Sequence, residues 1–527
     1  MEATAKKIEN PRVRIAPSPT GLLHIGTVRT ALFNYLFAKK YNGSFILRIE
    51  DTDKERSQRE YENDILDGLQ WLKIVWDEGL NPEARDEYLG DYGPYRQSGR
   101  AGIYQSYIKK MLDQGTAYYC FCSKEDLEAQ RQYQMSIGQA PKYNGKCSNL
   151  PKETVEKYLK EGKPAVIRFR TGGGSVVFQD LIKGRIEFNS ALLGDIAIAK
   201  DPSTPLYNLA AVIDDYEMKI SHVIRGEDHI ANTPKQILLQ DALGLPHPEY
   251  AHLPLILGPD RSKLSKRHGA VSVNHYREKG YLPEAMINFL AFLGWNPDND
   301  REIYAINHLI EEFSLERCQK SSAVFNLQKL DWINGFYIRN KSIKKLAEMG
   351  VPYLIEAGLI QPIFETGGHL AGIGGIELGE TYLIPETKEK IDIITLENIV
   401  SLYQERLKYL SELPELVDFF FKNELDYPQE LLFWKDMSQT DIEKALGGLE
   451  GVMGAVKPND WARGHLEEIL VQRAAEMGPA GDRGYLLWPL RTALSGKKFS
   501  APPFAIAEIL GKEKTLLRLK QAKEKLR

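Results

Sequence analysis

The stretch Arg12-Val-Arg-Ile-Ala-Pro17-Ser-Pro-Thr-Gly21-Leu-Leu-His24-Ile-Gly26-Thr27, continuing to Phe45-Ile-Leu-Arg-Ile49, decides the fold of this chain. Arg12–Ala16 reads as a short buried strand. Two prolines and a glycine over residues 17–21 then break any ladder. Val28, Ala31, Leu32, Tyr35 and Leu36 recur at helical spacing, which predicts a helix from about Thr27 to Lys40. Tyr41-Asn-Gly43 stops that helix, and Phe45–Ile49 is a second strand. Strand, loop, helix and strand in so few residues make a βαβ unit, so a doubly wound parallel sheet begins here.

Working outward, residues 116–200 interrupt this rhythm. They hold three of the four cysteines, a polar stretch from Glu128 to Asn144, and short β-rich pieces at Ala165–Phe169 and Ser175–Phe178. They read as an inserted domain. The α/β pattern resumes with Tyr207–Ile213 and Ser221–Arg225. Beyond about residue 300 amphipathic helical stretches dominate, such as Ala347–Leu359 and Thr395–Leu413. Thr366–Glu380, with six glycines, is expected to be a loop or hairpin set into them.

Composition narrows the class. The chain has 527 residues, 43% hydrophobic and 27% charged, which suits several ordinary domains and excludes a disordered or collagenous chain. No apolar run approaches the ~18 residues of a membrane span, and no signal-peptide core opens the chain, so a cytoplasmic protein without a membrane partner is expected. Lys plus Arg total 68 against 72 Asp plus Glu, a net charge of −4. That excludes coating of nucleic acid by bulk charge but not a local basic face. The tail from Lys512 to Arg527 carries seven Lys/Arg and two Glu; phosphate contact and a solvated helix face are equally open readings of it.

Two loops carry the chemistry. His24-Ile-Gly26-Thr27 joins strand to helix at the edge of a parallel sheet, where α/β proteins bind ligands and where helix N-terminal N–H groups favour anions. Gly21 and Gly26 remove side chains from a nucleotide's path. Lys263-Leu-Ser265-Lys266-Arg267 packs three cations into five residues between glycines, a loop suited to polyphosphate. Either motif alone is weak; together, in this order on an α/β sheet, they are specific.

With Arg48-Ile-Glu50-Asp-Thr-Asp53, these loops resemble a class I aminoacyl-tRNA synthetase, and specifically the bacterial-type glutamyl-tRNA synthetases; the resemblance extends to Leu487–Leu494 and Ile509–Lys512. It implies a Rossmann-like catalytic domain in two halves, 1–115 and 201–250, split by an inserted α+β acceptor-stem-binding domain at 116–200. A linker domain with the KLSKR loop follows at 251–345, then an all-helical anticodon-binding half at 346–527. It also implies ligation of L-glutamate to tRNA(Glu) through glutamyl-adenylate by a monomer. His24, Lys263 and Lys266 would stabilise the transition state. Thr20, Gly21, Gly26, Thr27, Asp228 and Ser265 would complete the ATP site, with Mg²⁺ on the phosphates. Arg14, Ala16, Ser18, Glu50, Tyr207 and Arg225 would hold glutamate, the side-chain carboxylate on Arg14 and the ammonium on Glu50; Ala211 stands where relatives often have a small polar residue. Cys120, Cys122 and Cys147 match zinc positions of zinc-bearing relatives. Asn149 replaces the usual fourth ligand, leaving Tyr143 as the candidate; bound zinc and a decayed knuckle with free thiols both remain open. Two alternatives stand beside the main reading: an enzyme that also glutamylates tRNA(Gln), through Gln404, and a non-catalytic tRNA-binding paralogue.

Overall fold

A computed structural model describes residues 8–265, 271–363 and 379–527. The chain forms two compact units, residues 1–277 with 283–330 and residues 278–282 with 331–527.

In the first unit, strand β1 (Arg12–Ile15) leads through helix α1 (Ile25–Lys40) to β2 (Ser44–Leu47), and β1 and β2 pair in parallel with Arg14 opposite Ile46. The helix starts two residues before the expected Thr27, because His24 caps it: its Nδ1 accepts from the Gly26 N–H at 3.0 Å. Almost the whole helix is buried, Phe33, Asn34 and Phe37 as well as the expected stripe, whereas Tyr35 of that stripe is half-buried. The helix Pro283–Ala291 packs on its far side, and Asn34 Nδ2 donates to the Ile224 carbonyl at 3.0 Å. A helix sandwiched in this way buries side chains on every face, and its buried Thr30 and Asn34 bond to backbone carbonyls.

The inserted residues divide between two sheets. Strands β3 (Ala117–Cys120), β4 (Val166–Phe169) and β7 (Ile196–Asp201) form an antiparallel sheet. The hairpin of β5 (Ser175–Asp180) and β6 (Gly184–Asn189) instead joins the sheet of strands 222–226 and 249–253. Helix α2 (Tyr207–Glu217), β8 (His222–Gly226), helix α3 (Thr233–Leu243) and β9 (Glu249–Leu253) resume the α/β succession, with β8 and β9 parallel. The Ser221 N–H donates to the Arg12 carbonyl, setting β8 beside β1, and Asp180 is the one β5 residue in register with β9, opposite Tyr250. The polar stretch expected from Glu128 to Asn144 holds a helix at Lys124–Ser136, with Ser123 and Asp126 in a reciprocal cap.

The second unit is mainly helical: α4 (Ile343–Glu356), α5 (Ile393–Ser401), α6 (Gln439–Ala455), α7 (Arg463–Met477), α8 (Gly484–Ser495) and α9 (Pro503–Glu524). It is not wholly helical. Gln361–Ile363, Thr381–Leu383 and Lys390–Asp392 make a small antiparallel sheet around the glycine-rich run, whose residues 366–378 lie outside the described residues. The helix expected over Thr395–Leu413 ends at Ser401, and Gln404 lies beyond it. The Gln404 amide nitrogen donates to the carbonyls of Ile338, Arg339 and Lys341 at 3.0, 3.2 and 2.8 Å, so it serves as a helix end-cap.

The basic tail is used internally. Arg518 is buried and donates to the carbonyls of Leu494, Phe419 and Lys422; Lys512 donates to those of Gly454 and Val456; Lys514 and Lys523 pair with Glu389 and Glu450. Four of its seven cations thus hold α9 in place, which favours the structural reading of that helix over a free phosphate-binding face.

Candidate active site

A cavity of about 610 Å³ opens at the C-terminal ends of β1 and β8 and is lined by Arg14, Ala16, Ser18, His24, Gly26, Thr27, Glu50, Tyr207, Arg225, Asp228 and Lys263. Of the residues expected at the site, Thr20, Gly21 and Ser265 do not line it, and Lys266 lies outside the described residues. Thr20 is exposed, and a Cβ at Gly21 would meet no protein atom within 4 Å. A Cβ at Gly26 would come within 3.3 Å of His24 Nδ1 and crowd the helix cap. Ala211 is buried in α2 and does not line the cavity either.

The two motifs meet. His24 bridges to Ser272, the Ile25 N–H donates to the Val271 carbonyl, and Lys263 bridges to Leu257, so the start of the KLSKR loop and the residues that follow it at 271–272 are both tied to the cavity's elements. Because His24 Nδ1 accepts from the Gly26 amide, the ring proton resides on Nε2. Burial and the nearby Lys263 push the imidazole pKa down, keeping it neutral at physiological pH. The result is an uncharged donor facing the cavity. Lys263 pairs with Asp228 at 3.2 Å, both side chains about half exposed.

Beneath the cavity lies a cluster of buried charges that sequence reasoning largely missed. Arg14 bonds Asp215 at 3.1 Å; Arg48 bonds Asp215 at 2.7 Å and Glu50 at 3.1 Å and approaches Asp214 at 3.9 Å; Arg100 bonds Asp214 at 2.6 Å. All six side chains are nine-tenths or more buried. Three guanidinium groups stand against three carboxylates, so the cluster is neutral. Burial pushes the Glu50 carboxyl up, against the pull of Arg48 and Arg14; Asp215 feels the same burial, yet Arg14 and Arg48 hold it below its ordinary value.

Arg225 is a cation in surplus, as is Arg29 on α1, whose Nη1 donates to the Leu293 carbonyl. Arg225 is 5% exposed, and among the described residues no carboxylate lies within 4.0 Å of it. Nε donates to His252 at 3.2 Å and Nη2 to Thr233 at 2.7 Å, while Nη1 is buried without a partner. A buried, uncompensated guanidinium on a cavity wall calls for an anion. Two further titratable lining residues were missed: Arg29, buried on α1, and His229, which burial and Arg225 push down to about 4 and which bonds the Tyr207 hydroxyl at 3.0 Å.

The sequence was compared with known proteins. The family profile described as tRNA synthetases class I (E and Q), catalytic domain, matches residues 10–332, and an anticodon binding domain matches residues 346–523. The chain belongs to the class I tRNA synthetases of the E and Q group. The synthetase is 44% identical over 503 residues to a glutamate–tRNA ligase of Carboxydothermus hydrogenoformans, covering 95% of this chain and 97% of that one. It is 45% identical over 513 residues to glutamate–tRNA ligase 1 of Caldicellulosiruptor saccharolyticus, covering 96% and 98%. The crystal structure of a glutamate tRNA ligase from Elizabethkingia meningosepticum in complex with its amino acid superposes with a TM-score of 0.82 at 32% identity, covering 98% of this chain and all of that one.

The synthetase also gathers its cysteines. The sulfurs of Cys120, Cys122 and Cys147 all lie within 4.8 Å of one another, with Cys122 and Cys147 3.6 Å apart. The Tyr143 hydroxyl is 3.4 Å from Cys120 Sγ and 3.6 Å from Cys122 Sγ, while Asn149 is exposed. A tetrahedral zinc with Zn–S near 2.3 Å spaces its sulfurs about 3.8 Å apart, so the three thiols and the phenol fit the four corners of such a site.

Proposed function

We propose that the chain ligates L-glutamate to tRNA(Glu) in two steps, through glutamyl-adenylate and with release of AMP and diphosphate. The observation that carries this is the charge balance of the cavity. Around the neutral cluster of Arg14, Arg48, Arg100, Glu50, Asp214 and Asp215, two buried guanidinium groups on the cavity wall, Arg225 and Arg29, have no carboxylate within 4.0 Å among the described residues. Glutamate brings two carboxylates and one ammonium, a net −1 that compensates one of them, and the phosphates of ATP can compensate the other; glutamine brings none. Glu50 is the acid placed for the ammonium, and Arg14 and Arg225 flank the space for the side-chain carboxylate.

The α-carboxylate of glutamate attacks the α-phosphorus of ATP, and diphosphate leaves. No enzyme nucleophile is required, so the work is positioning and charge stabilisation. His24 donates from Nε2 to a phosphate oxygen, and Lys263 leaves Asp228 to meet the departing phosphates. Mg²⁺, when bound with the triphosphate, would neutralise its oxygens; of the two acids on the cavity wall, Glu50 faces the ammonium and Asp228 would be the one to hold the ion. The acyl group then passes to a ribose hydroxyl of tRNA. Residues 116–200 are assigned to the acceptor stem and residues 346–527 to the anticodon. The non-catalytic alternative loses its support, since His24, Lys263, Arg14, Glu50 and Arg225 line one cavity. Charging of tRNA(Gln) through Gln404 gains none, since that amide nitrogen is already engaged.

Glutamate-dependent ATP–pyrophosphate exchange tests the reading, with and without tRNA and with glutamine as competitor. Exchange with glutamate and at least ~30-fold less with glutamine is expected, because an amide leaves Arg225 buried without an anion. No exchange under any condition, or a preference for glutamine, refutes it.

The knuckle is assigned one structural Zn²⁺ held by Cys120, Cys122, Tyr143 and Cys147, which would fix β3 to the loop before Leu150. Metal analysis of the purified chain should give about one zinc per molecule, with Cys147→Ser losing it and Tyr143→Phe releasing it faster to a chelator. A wild-type chain free of zinc after purification in zinc-containing medium overturns the assignment.

A further inference from the structure

Arg225 is held in place by residues that never touch the cavity. His252, fully buried on β9, lies directly opposite Arg225 in the parallel register, and its Nε2 sits 3.2 Å from Arg225 Nε. On the other edge of the ring, His252 Nδ1 lies 2.6 Å from Asp180 Oδ2. The Asp180 carboxylate is 1% exposed and also accepts from the backbone N–H groups of Ile182 at 3.0 Å, Lys183 at 2.7 Å and His252 at 3.1 Å. An ionised carboxylate only accepts, so the proton between Asp180 and His252 belongs to Nδ1. In neutral imidazole the other nitrogen is then a lone pair, and it faces the Arg225 Nε–H at 3.2 Å and the Thr233 hydroxyl at 3.0 Å. Asp180 thereby sets which nitrogen of His252 faces the arginine, and two of the three Arg225 nitrogens are pinned by His252 and Thr233, which aims the remaining Nη1.

We propose that Asp180 and His252 are positioning residues for glutamate binding: a tautomer lock that fixes the Arg225 fork in the orientation that receives a substrate carboxylate. The proposal rests on the glutamate reading above and deepens it. Neither residue lines the cavity, so neither is a contact residue for substrate. The lock reaches outside the nucleotide fold, because Asp180 ends β5 and is the only β5 residue paired with β9. The hairpin of the inserted segment therefore supplies the group that orients the amino-acid arginine. The groups facing the imidazole agree with a neutral ring. Asp180 is the one anion against it, Arg225 is a cation against its far edge, Lys183 acts on it from beyond Asp180, and the rings of Tyr250 and Phe178 pack at 6.2 and 6.5 Å. Burial keeps the imidazole below its ordinary pKa. A protonated ring would set two donors against each other at Nε2 and Nε.

Three variants of the full chain test the lock by pyrophosphate exchange with tRNA present. Asp180→Asn can donate to Nδ1 and so turns the ring to the opposite tautomer, with Nε2–H facing Nε–H. It should raise the KM for glutamate roughly 10-fold or more, the effect of one buried donor left unpaired, while the KM for ATP and kcat at saturating glutamate stay within about twofold. His252→Leu, which removes both ring contacts, should do the same. His252→Gln offers one acceptor and one donor and should return most of the glutamate affinity. Unfolding curves of all three accompany the kinetics. A wild-type glutamate KM in both Asp180→Asn and His252→Leu overturns the lock, and so do parallel changes in the KM values for glutamate and ATP that follow lost stability. Glutamate turnover by the wild type separates the two failures: if it is absent, the ligase reading falls and the lock with it, whereas if it is present and the variants match it, the lock alone falls.

Discussion

Replacing Arg225 with methionine should lower kcat/KM for glutamate by about two to three orders of magnitude while leaving the KM for ATP nearly unchanged. The size follows from what is lost. The guanidinium meets the substrate in a dry pocket, and removing one partner of such a buried, hydrogen-bonded pair costs ~2–5 kcal/mol, much of it the desolvation of the group left behind. Arg225→Lys should recover only part of this, since an ammonium cannot hold His252, Thr233 and a carboxylate in one planar fork. The same change should not destabilise the empty protein. Arg225 is buried with no anion near it and with Nη1 unpartnered, so burial pushes its pKa down and the folded chain carries the cost. Methionine fills most of the volume without that charge, so an unchanged or slightly raised urea midpoint is expected beside the loss of activity. Initial-rate kinetics with glutamate varied, and denaturation of the same preparations, check both halves. A variant that keeps wild-type kcat/KM for glutamate refutes the charge-balance argument.

How much of this was visible in the sequence depends on whether the cause was local. The β1–α1–β2 unit was legible because strand, proline-rich break and helical spacing are written in adjacent residues, whereas the substrate roles of Arg14, Ala16, Ser18 and Glu50 came from the family resemblance. The helix start was misplaced by two residues because His24 caps through its side chain, and histidine is a rare capping residue. The charge cluster was not legible: Arg14 and Asp215 are 201 residues apart, and no local pattern announces such a pair. One signal was present. Asp214 and Asp215 interrupt the apolar run Leu209–Ile213, and two acids on a helix that is otherwise core require partners. The basic tail misled in the opposite sense, since charge counting cannot tell a lysine in solvent from one that closes a helix end. The three thiols were found by spacing, but their closeness to Tyr143 depends on how β3 and the following loop fold.

Arg48 is the residue on which the stability of the site should depend most. It is fully buried, donates to Asp215 and Glu50, and lies 3.9 Å from Asp214, so it serves all three carboxylates of the cluster. Arg48→Met leaves those three acids with only Arg14 and Arg100. One buried negative charge is then uncompensated, at a cost of ~3–5 kcal/mol. Adding Asp215→Asn restores the count and should regain a good part of the loss, whereas adding Asp67→Asn, half exposed and outside the cluster, should regain nothing. The pH dependence has a definite sign. The Asp215 carboxyl is held below its ordinary 3.8, so its contribution is complete above that pH and disappears as pH falls through the lower folded value. Without Arg48 that depression shrinks, and Glu50, already pushed up by burial, loses its closest cation and rises further. The deficit of Arg48→Met should therefore be greatest near neutrality and narrow on acidification as Glu50 takes up a proton, beginning at a higher pH than any matching change in the wild type. Urea unfolding of wild type, single and double variants at neutral and mildly acid pH measures this directly; a deficit that widens on acidification would mean that Arg48 is not the counter-charge of these carboxylates.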